Sequence, residues 1–239
     1  MAPLSWLLLL AALAAPAEPS RERFVPLDVP DFAPALVHVP EGSEPLPVLV
    51  VTHGAGGSTE RHCDWWSRMA KQSAILLCLR GRARGPNPAD GEYYPDHHAL
   101  EREAVAALSA LRSRYAERIA PGGAYYAGFS QGATMGALML VDHADELTRL
   151  ALVEGGVGDW SVARARAFRE RGGERVLFVC GQKVCADAAR KAAHWLKLAG
   201  VPAQVQYVAG AGHSHDARVE ARVVAALPWL TAGDERWAR

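Results

Sequence analysis

The sequence predicts an α/β chain built on a mainly parallel sheet with helices on both faces, and three observations carry that expectation. Short apolar runs of strand length alternate with longer segments of helical periodicity through most of the chain, which is the rhythm of βαβ units. Several of these runs are continuous in Val and Leu rather than alternating, as in PVLVVT (47–52), AILLCL (74–79) and RVLFVC (175–180). Strands covered on both faces have that composition. Finally, the apolar run 124–127 passes through Gly128-Phe129-Ser130-Gln131-Gly132 into a small-residue apolar segment, 133–141, giving strand, tight turn and helix in succession.

The elements follow in chain order. Residues 23–29 and 35–39 are short β-prone runs split by Pro26, Pro30 and Pro34, which suits edge strands. The buried strand 47–52 ends in His53-Gly54-Ala55-Gly56-Gly57, a cluster whose backbone N–H groups are free to approach an anion. Residues 59–71 carry Trp65, Trp66 and Met69 at helical spacing and read as a core-packed helix. After strand 74–79 comes a long loop, 81–96, with three prolines and three glycines; loops of this length in compact domains usually have a function. Within it Tyr93 and Tyr94 are candidate substrate-binding residues, with capping of the core as the alternative. A helix is expected over 98–115, strands over 150–153 and 204–208, and helices over 162–171 and 186–199, the last ended by Gly200.

Composition bounds the function. Half of the 239 residues are hydrophobic and 22% are charged, with 26 basic and 26 acidic side chains, an ordinary globular balance. No run of Lys or Arg forms a basic block, so nucleic acid is not an expected partner. Residues 1–17 read as a secretory signal peptide: Leu4 to Ala15 is a short apolar stretch and Ala15-Pro16-Ala17 an A-x-A cleavage site, leaving Glu18 as the new N terminus. The region before it lacks Lys and Arg, and an N-terminal apolar helix or anchor is the alternative. No later segment is long and apolar enough to span a bilayer. Residues 18–239 are expected to form one domain, secreted or periplasmic, and the sequence assigns no oligomeric state.

Export makes the cysteines readable. Four cysteines in an oxidising compartment allow three pairings. Cys63 with Cys78 and Cys180 with Cys185 is the favoured set, because each pair is close in sequence and joins a strand to a nearby helix or loop. The alternative is four buried free thiols.

The turn at 128–132 fits G-x-S-x-G in the strand-to-helix context that this motif requires, with Ser130 exposed by a strained backbone. The competing reading makes Ser130 only the N-cap of a helix. A serine hydroxyl is a weak nucleophile until a base takes its proton. His213, in Gly210-Ala211-Gly212-His213 after the last strand, is the candidate base, and His215 the fallback.

HGAGG after an early strand, GFSQG after a central one and GAGH after the last together resemble the α/β-hydrolase superfamily. The elbow and the compact size look most like phospholipase/carboxylesterase or dienelactone-hydrolase-like serine esterases. The resemblance implies an α/β-hydrolase fold, a small-molecule ester substrate, an acyl-enzyme on Ser130 and no cofactor. It also implies an oxyanion hole made by the backbone N–H groups of Ala55 and Gln131, with His53 supporting the loop. The acid departs from the pattern. Relatives place an aspartate about three residues past the glycine that follows the penultimate strand, but here Gly181 is followed by Gln182, Lys183 and Val184. Asp187 is the first carboxylate after that strand and the favoured acid, returned to position by a Cys180–Cys185 bridge, with helix capping as its bland alternative. Glu154, at the end of the preceding strand, is the other candidate. Two further classes stay open: a catalytically silent binding protein on this fold, and a metal-dependent hydrolase using His213, His215 and Asp216 with His97 and His98, although no metal is expected.

Overall fold

The structure is a computed structural model that describes residues 23–237; the expected signal peptide at 1–17 lies outside the described residues. Eight strands form one sheet: β1 (Val25–Leu27), β2 (Ala35–His38), β3 (Val48–Thr52), β4 (Ile75–Cys78), β7 (Ala124–Phe129), β8 (Leu147–Val153), β9 (Arg175–Cys180) and β10 (Ala203–Tyr207), in spatial order β1-β2-β4-β3-β7-β8-β9-β10. The two proline-flanked strands β1 and β2 form the antiparallel edge, and every pairing from β4 to β10 is parallel.

The continuous apolar runs are explained by what covers them. Along β3, Val48 and Val50 point into one core while Leu49 and Val51 point into the other, so both side-chain sets of a period-2 strand must be apolar. One core holds residues of α2 (His97–Arg114), α3 (Gln131–Met139), α4 (Val162–Glu170) and α5 (Lys183–Leu198). The other holds α1 (Thr59–Ala70), with Trp65, Trp66 and Met69, and α6 (Ala217–Thr231). Helix starts are set by side-chain caps: Asp96 accepts from Ala99 N in α2, and Asp216 from Arg218 N and Val219 N in α6.

Two expectations need correction. The stretch 81–96 is not an unstructured loop, since β5 (Arg82–Ala83) and β6 (Glu92–Tyr93) pair as an antiparallel ribbon. Glu92 pins that ribbon to the fold, accepting from Thr59 N at 2.7 Å, from Thr59 Oγ1 at 2.6 Å and from Arg80 Nη1 at 2.6 Å. Helix α5 begins at Lys183, three residues before the expected start, which changes where Asp187 lies.

Candidate active site

The site forms where parallel strands end. At the end of β7 the chain turns straight into α3, and Ser130 holds φ 49° and ψ −110°, a backbone conformation that costs about 1–3 kcal/mol and persists only where the surroundings enforce it. The enforcing contacts are backbone to backbone: Ser130 N donates to Val153 O at 2.8 Å and Gly132 N to His53 O at 3.0 Å. Gly132 has no alternative, because a Cβ there would lie 2.5 Å from Thr52 Oγ1 and 2.7 Å from His53 O. Ser130 is the N-cap residue of α3 by position, but its side chain makes no capping hydrogen bond, so its hydroxyl is free for another partner.

That partner is His213, whose Nε2 lies 2.8 Å from Ser130 Oγ. On the other side of the ring, Nδ1 lies 3.3 Å from Glu154 Oε2. This is ion-pair reach without hydrogen-bond alignment, and Oε2 has no hydrogen-bond partner among the described residues. Glu154 follows β8, its side chain fully buried, with φ 54°. Its Oε1 is gripped by two backbone donors, Gly181 N and, at 3.3 Å, Gln182 N, next to the N terminus of α5, where partial positive charge favours an anion.

Asp187 is not brought to the histidine. It is exposed in the first turns of α5, where Lys183 Nζ lies 2.5 Å from Oδ2 and Arg190 Nη1 2.6 Å from Oδ1. These two cations, Lys183 before Arg190 in effect, hold its carboxyl below the usual range. The early helix start is the reason: residues 183–185, expected in a loop that would return Asp187 to the histidine, are already helical, so Asp187 projects from the side of α5. The expected Cys180–Cys185 disulfide is formed, yet the loop it closes presents backbone N–H groups to Glu154.

The HG loop packs against the elbow. A Cβ on Gly54 would sit 3.0 Å from Ser130 Cβ, so the loop meets the serine at the residue before Ala55. Neither the Ala55 nor the Gln131 backbone N–H meets an acceptor among the described residues. Both residues border a cleft of about 370 Å³, with Tyr93 and Arg84 on its other walls. Tyr94 does not line it. That side chain is fully buried, its hydroxyl donating to Leu79 O at 3.0 Å and its ring stacked on His53 at 4.7 Å. Its backbone N–H reaches Gln131 Oε1 at 2.9 Å, which ties the ribbon to the elbow. His53 is equally buried, with Nδ1 2.9 Å from Gly54 O and Nε2 2.8 Å from Arg80 O, so it braces the HG loop from behind.

The H-x-H-D residues separate. His213 faces Ser130; His215 packs on His62 and Phe129, with ring centroids at 4.8 and 5.0 Å; Asp216 caps α6. His97 and His98 open α2, the latter beside Glu101. No group of three metal-ligand side chains suited to an ion occurs among the described residues. His62 is buried, with Nε2 unpartnered, and desolvation followed by the nearby His215 lowers its pKa to about 3. Sequence reasoning also passed over Glu103, buried at 2% exposure, which accepts from Arg80 N at 2.8 Å and Gly81 N at 2.9 Å to fix the start of the ribbon. Its signal was a carboxylate on the apolar face of α2, between Leu100 and Leu108.

No family model matches the chain. A protein of Nocardia uniformis subsp. tsuyamanensis named "Putative esterase NocK" is 34% identical over 142 residues; the match takes in 56% of this chain and 38% of that protein's length. Among solved structures, a dienelactone hydrolase-like promiscuous phosphotriesterase, P91, from metagenomic libraries superposes with a TM-score of 0.64 at 22% identity, covering 86% of this chain and 94% of that one. FphF, a fluorophosphonate-binding serine hydrolase of Staphylococcus aureus, superposes with a TM-score of 0.65 at 12% identity, covering 87% and 96%. With the mainly parallel sheet and the elbow at its centre, these likenesses show that the chain has the α/β-hydrolase fold.

Proposed function

We propose that this protein is a serine hydrolase that cleaves a small-molecule carboxylic ester through an acyl-enzyme. The observation that carries the reading is the line of contacts Ser130 Oγ, His213 Nε2, His213 Nδ1, Glu154 Oε2, with steps of 2.8 and 3.3 Å across the two faces of one imidazole.

In this reading Ser130 attacks the ester carbonyl while His213 takes its proton, and Glu154 orients the ring and balances the charge it gains. Negative charge develops on the carbonyl oxygen. The N–H groups of Ala55 and Gln131 meet it, each donor contributing on the order of 3 kcal/mol of barrier reduction. His213 then returns the proton to the departing alcohol. Water, deprotonated by the same imidazole, releases the acid and restores Ser130. No cofactor enters these steps.

The cleft beside Ala55, Tyr93, Arg84 and Gln131 is proposed to receive the substrate. Export to a periplasm or beyond belongs to the same proposal, supported by two disulfides, Cys63–Cys78 and Cys180–Cys185, which persist in oxidising compartments. Among the described residues no helix is long and apolar enough to cross a membrane.

Hydrolysis of p-nitrophenyl acetate tests the reading. The wild type is expected to show a burst of nitrophenol stoichiometric with protein, lost in Ser130→Ala. A folded wild type without hydrolysis would favour a silent binding protein.

A further inference from the structure

Acid and base are carried by different loops, and the two loops meet at Gly181. Strand β9 ends at Cys180 and α5 begins at Lys183, so only Gly181 and Gln182 lie between them. The N–H groups of both residues are the ones that hold Glu154 Oε1. On its other side Gly181 packs on the loop leading to His213: a Cβ there would collide with the Gly212 carbonyl oxygen and come within 2.8 Å of Ala211 Cβ. That loop is also hung from Cys180, whose carbonyl accepts Val208 N at 2.8 Å.

The disulfide closes this arrangement. Cys180 is fully buried and Cys185 is 8% exposed, with their Cα atoms 5.6 Å apart. Further along α5, Ala189, Ala192, Ala193 and Leu196 bury the helix. In its first turn Lys183 and Val184 are exposed, Val184 at 72%, while Cys185 and Ala186 are buried, and Cys185 is the covalent tether of the turn whose amino end faces Glu154. Helix ends fray unless tied.

We propose that Gly181 and the Cys180–Cys185 disulfide form a positioning clamp that holds the Glu154 carboxylate in register with His213 for catalysis. This rests on the ester-hydrolase reading above. The clamp touches neither substrate nor reacting atoms and acts through the acid. The Cys63–Cys78 disulfide, which ties α1 to β4, has no such part.

The test compares Cys180→Ala/Cys185→Ala with Cys63→Ala/Cys78→Ala. The readouts are thermal stability, kcat and KM for p-nitrophenyl acetate, and the fluorophosphonate labelling rate, taken where each variant is folded. Loss of Cys180–Cys185 is expected to lower kcat and the labelling rate by about tenfold or more with KM within about twofold, the signature of an interaction made in the transition state. Loss of Cys63–Cys78 is expected to lower stability while kcat stays within about twofold. In a Glu154→Gln background, removing Cys180–Cys185 is expected to change kcat by less than about twofold, because the clamp then has no acid to position. A general loss of structure would reduce both backgrounds equally. Should the alanine pair not fold, Gly181→Ala, with both disulfides intact, is expected to give the same fall in kcat at constant KM. Full kcat without Cys180–Cys185, or with Gly181→Ala, overturns the clamp. So does an equal loss in the Glu154→Gln background. A wild type that takes no fluorophosphonate overturns the hydrolase reading and the clamp with it.

Discussion

His213 Nδ1 lies 3.3 Å from Oε2 of Glu154, a carboxylate whose side chain is fully buried at the end of β8. In the proposed triad the acid comes from the strand next to the one that carries Ser130, one strand earlier than the resemblance implied. Glu154→Gln is therefore expected to lower kcat by on the order of 10²–10⁴. Asp187→Asn, altering an exposed carboxylate paired with Lys183 and Arg190, is expected to stay within about twofold. Steady-state kinetics of the two variants, with thermal melts to show that both are folded, check this.

Stability is expected to fall as pH drops from 7 to 5. Burial holds the pKa of His62 at about 3, against 6.5 for an unperturbed imidazole, and burial also lowers His38 and His215. Across that window the unfolded chain takes up protons that the folded chain refuses, so the native state loses up to about 1.4 kcal/mol per pH unit through His62, and His38 and His215 act in the same direction. Glu103, raised by burial, acts in the opposite sense. His62→Phe keeps a ring against Phe129 and His215 and removes one of the histidine contributions. Urea unfolding at pH 5 and pH 7 is expected to show a smaller pH difference for the variant than for the wild type; an unchanged difference contradicts the assignment.

Gly132→Ala is expected to destabilise by about 1–3 kcal/mol, because the new methyl would press on Thr52 and the His53 carbonyl, both buried at the end of β3. Gly158→Ala, in open space with nothing within 4 Å of a Cβ, is the control and is expected to change stability by less than about 0.5 kcal/mol. Denaturant midpoints separate the two.

Expression of the full chain in an exporting host is expected to yield protein beginning at Glu18. Peptide mapping without reduction is expected to recover Cys63–Cys78 and Cys180–Cys185 linked. Retention of residues 1–17 would contradict the signal-peptide reading, and free thiols would contradict the pairing.

Much of this architecture was legible in the residues. The two-sided apolar runs marked β3, β4 and β9 because a strand between two helix layers has no polar face. The meeting of Ser130 and His213 could be foreseen because the elbow needs glycines at fixed offsets and the proposed base follows the last strand. The acid could not be placed the same way. Any carboxylate near a strand end is a candidate on sequence, and the choice between Asp187 and Glu154 depends on whether the residues after Cys180 form a loop or enter a helix. They enter a helix, and Lys183 and Arg190 capture Asp187. Tyr93 and Tyr94 posed a similar ambiguity, since successive side chains of an extended chain point opposite ways: Tyr93, at the end of β6, reaches the cleft and Tyr94, just past it, the core.

The most direct test is intact-mass analysis of the mature protein after exposure to a fluorophosphonate, beside Ser130→Ala and His213→Ala. A single stoichiometric adduct on the wild type, mapped to Ser130, is expected, with none on Ser130→Ala and labelling slowed by on the order of 10³-fold or more in His213→Ala. A folded wild type that takes no adduct, or an adduct that survives Ser130→Ala, would contradict the assignment of Ser130 as an activated nucleophile.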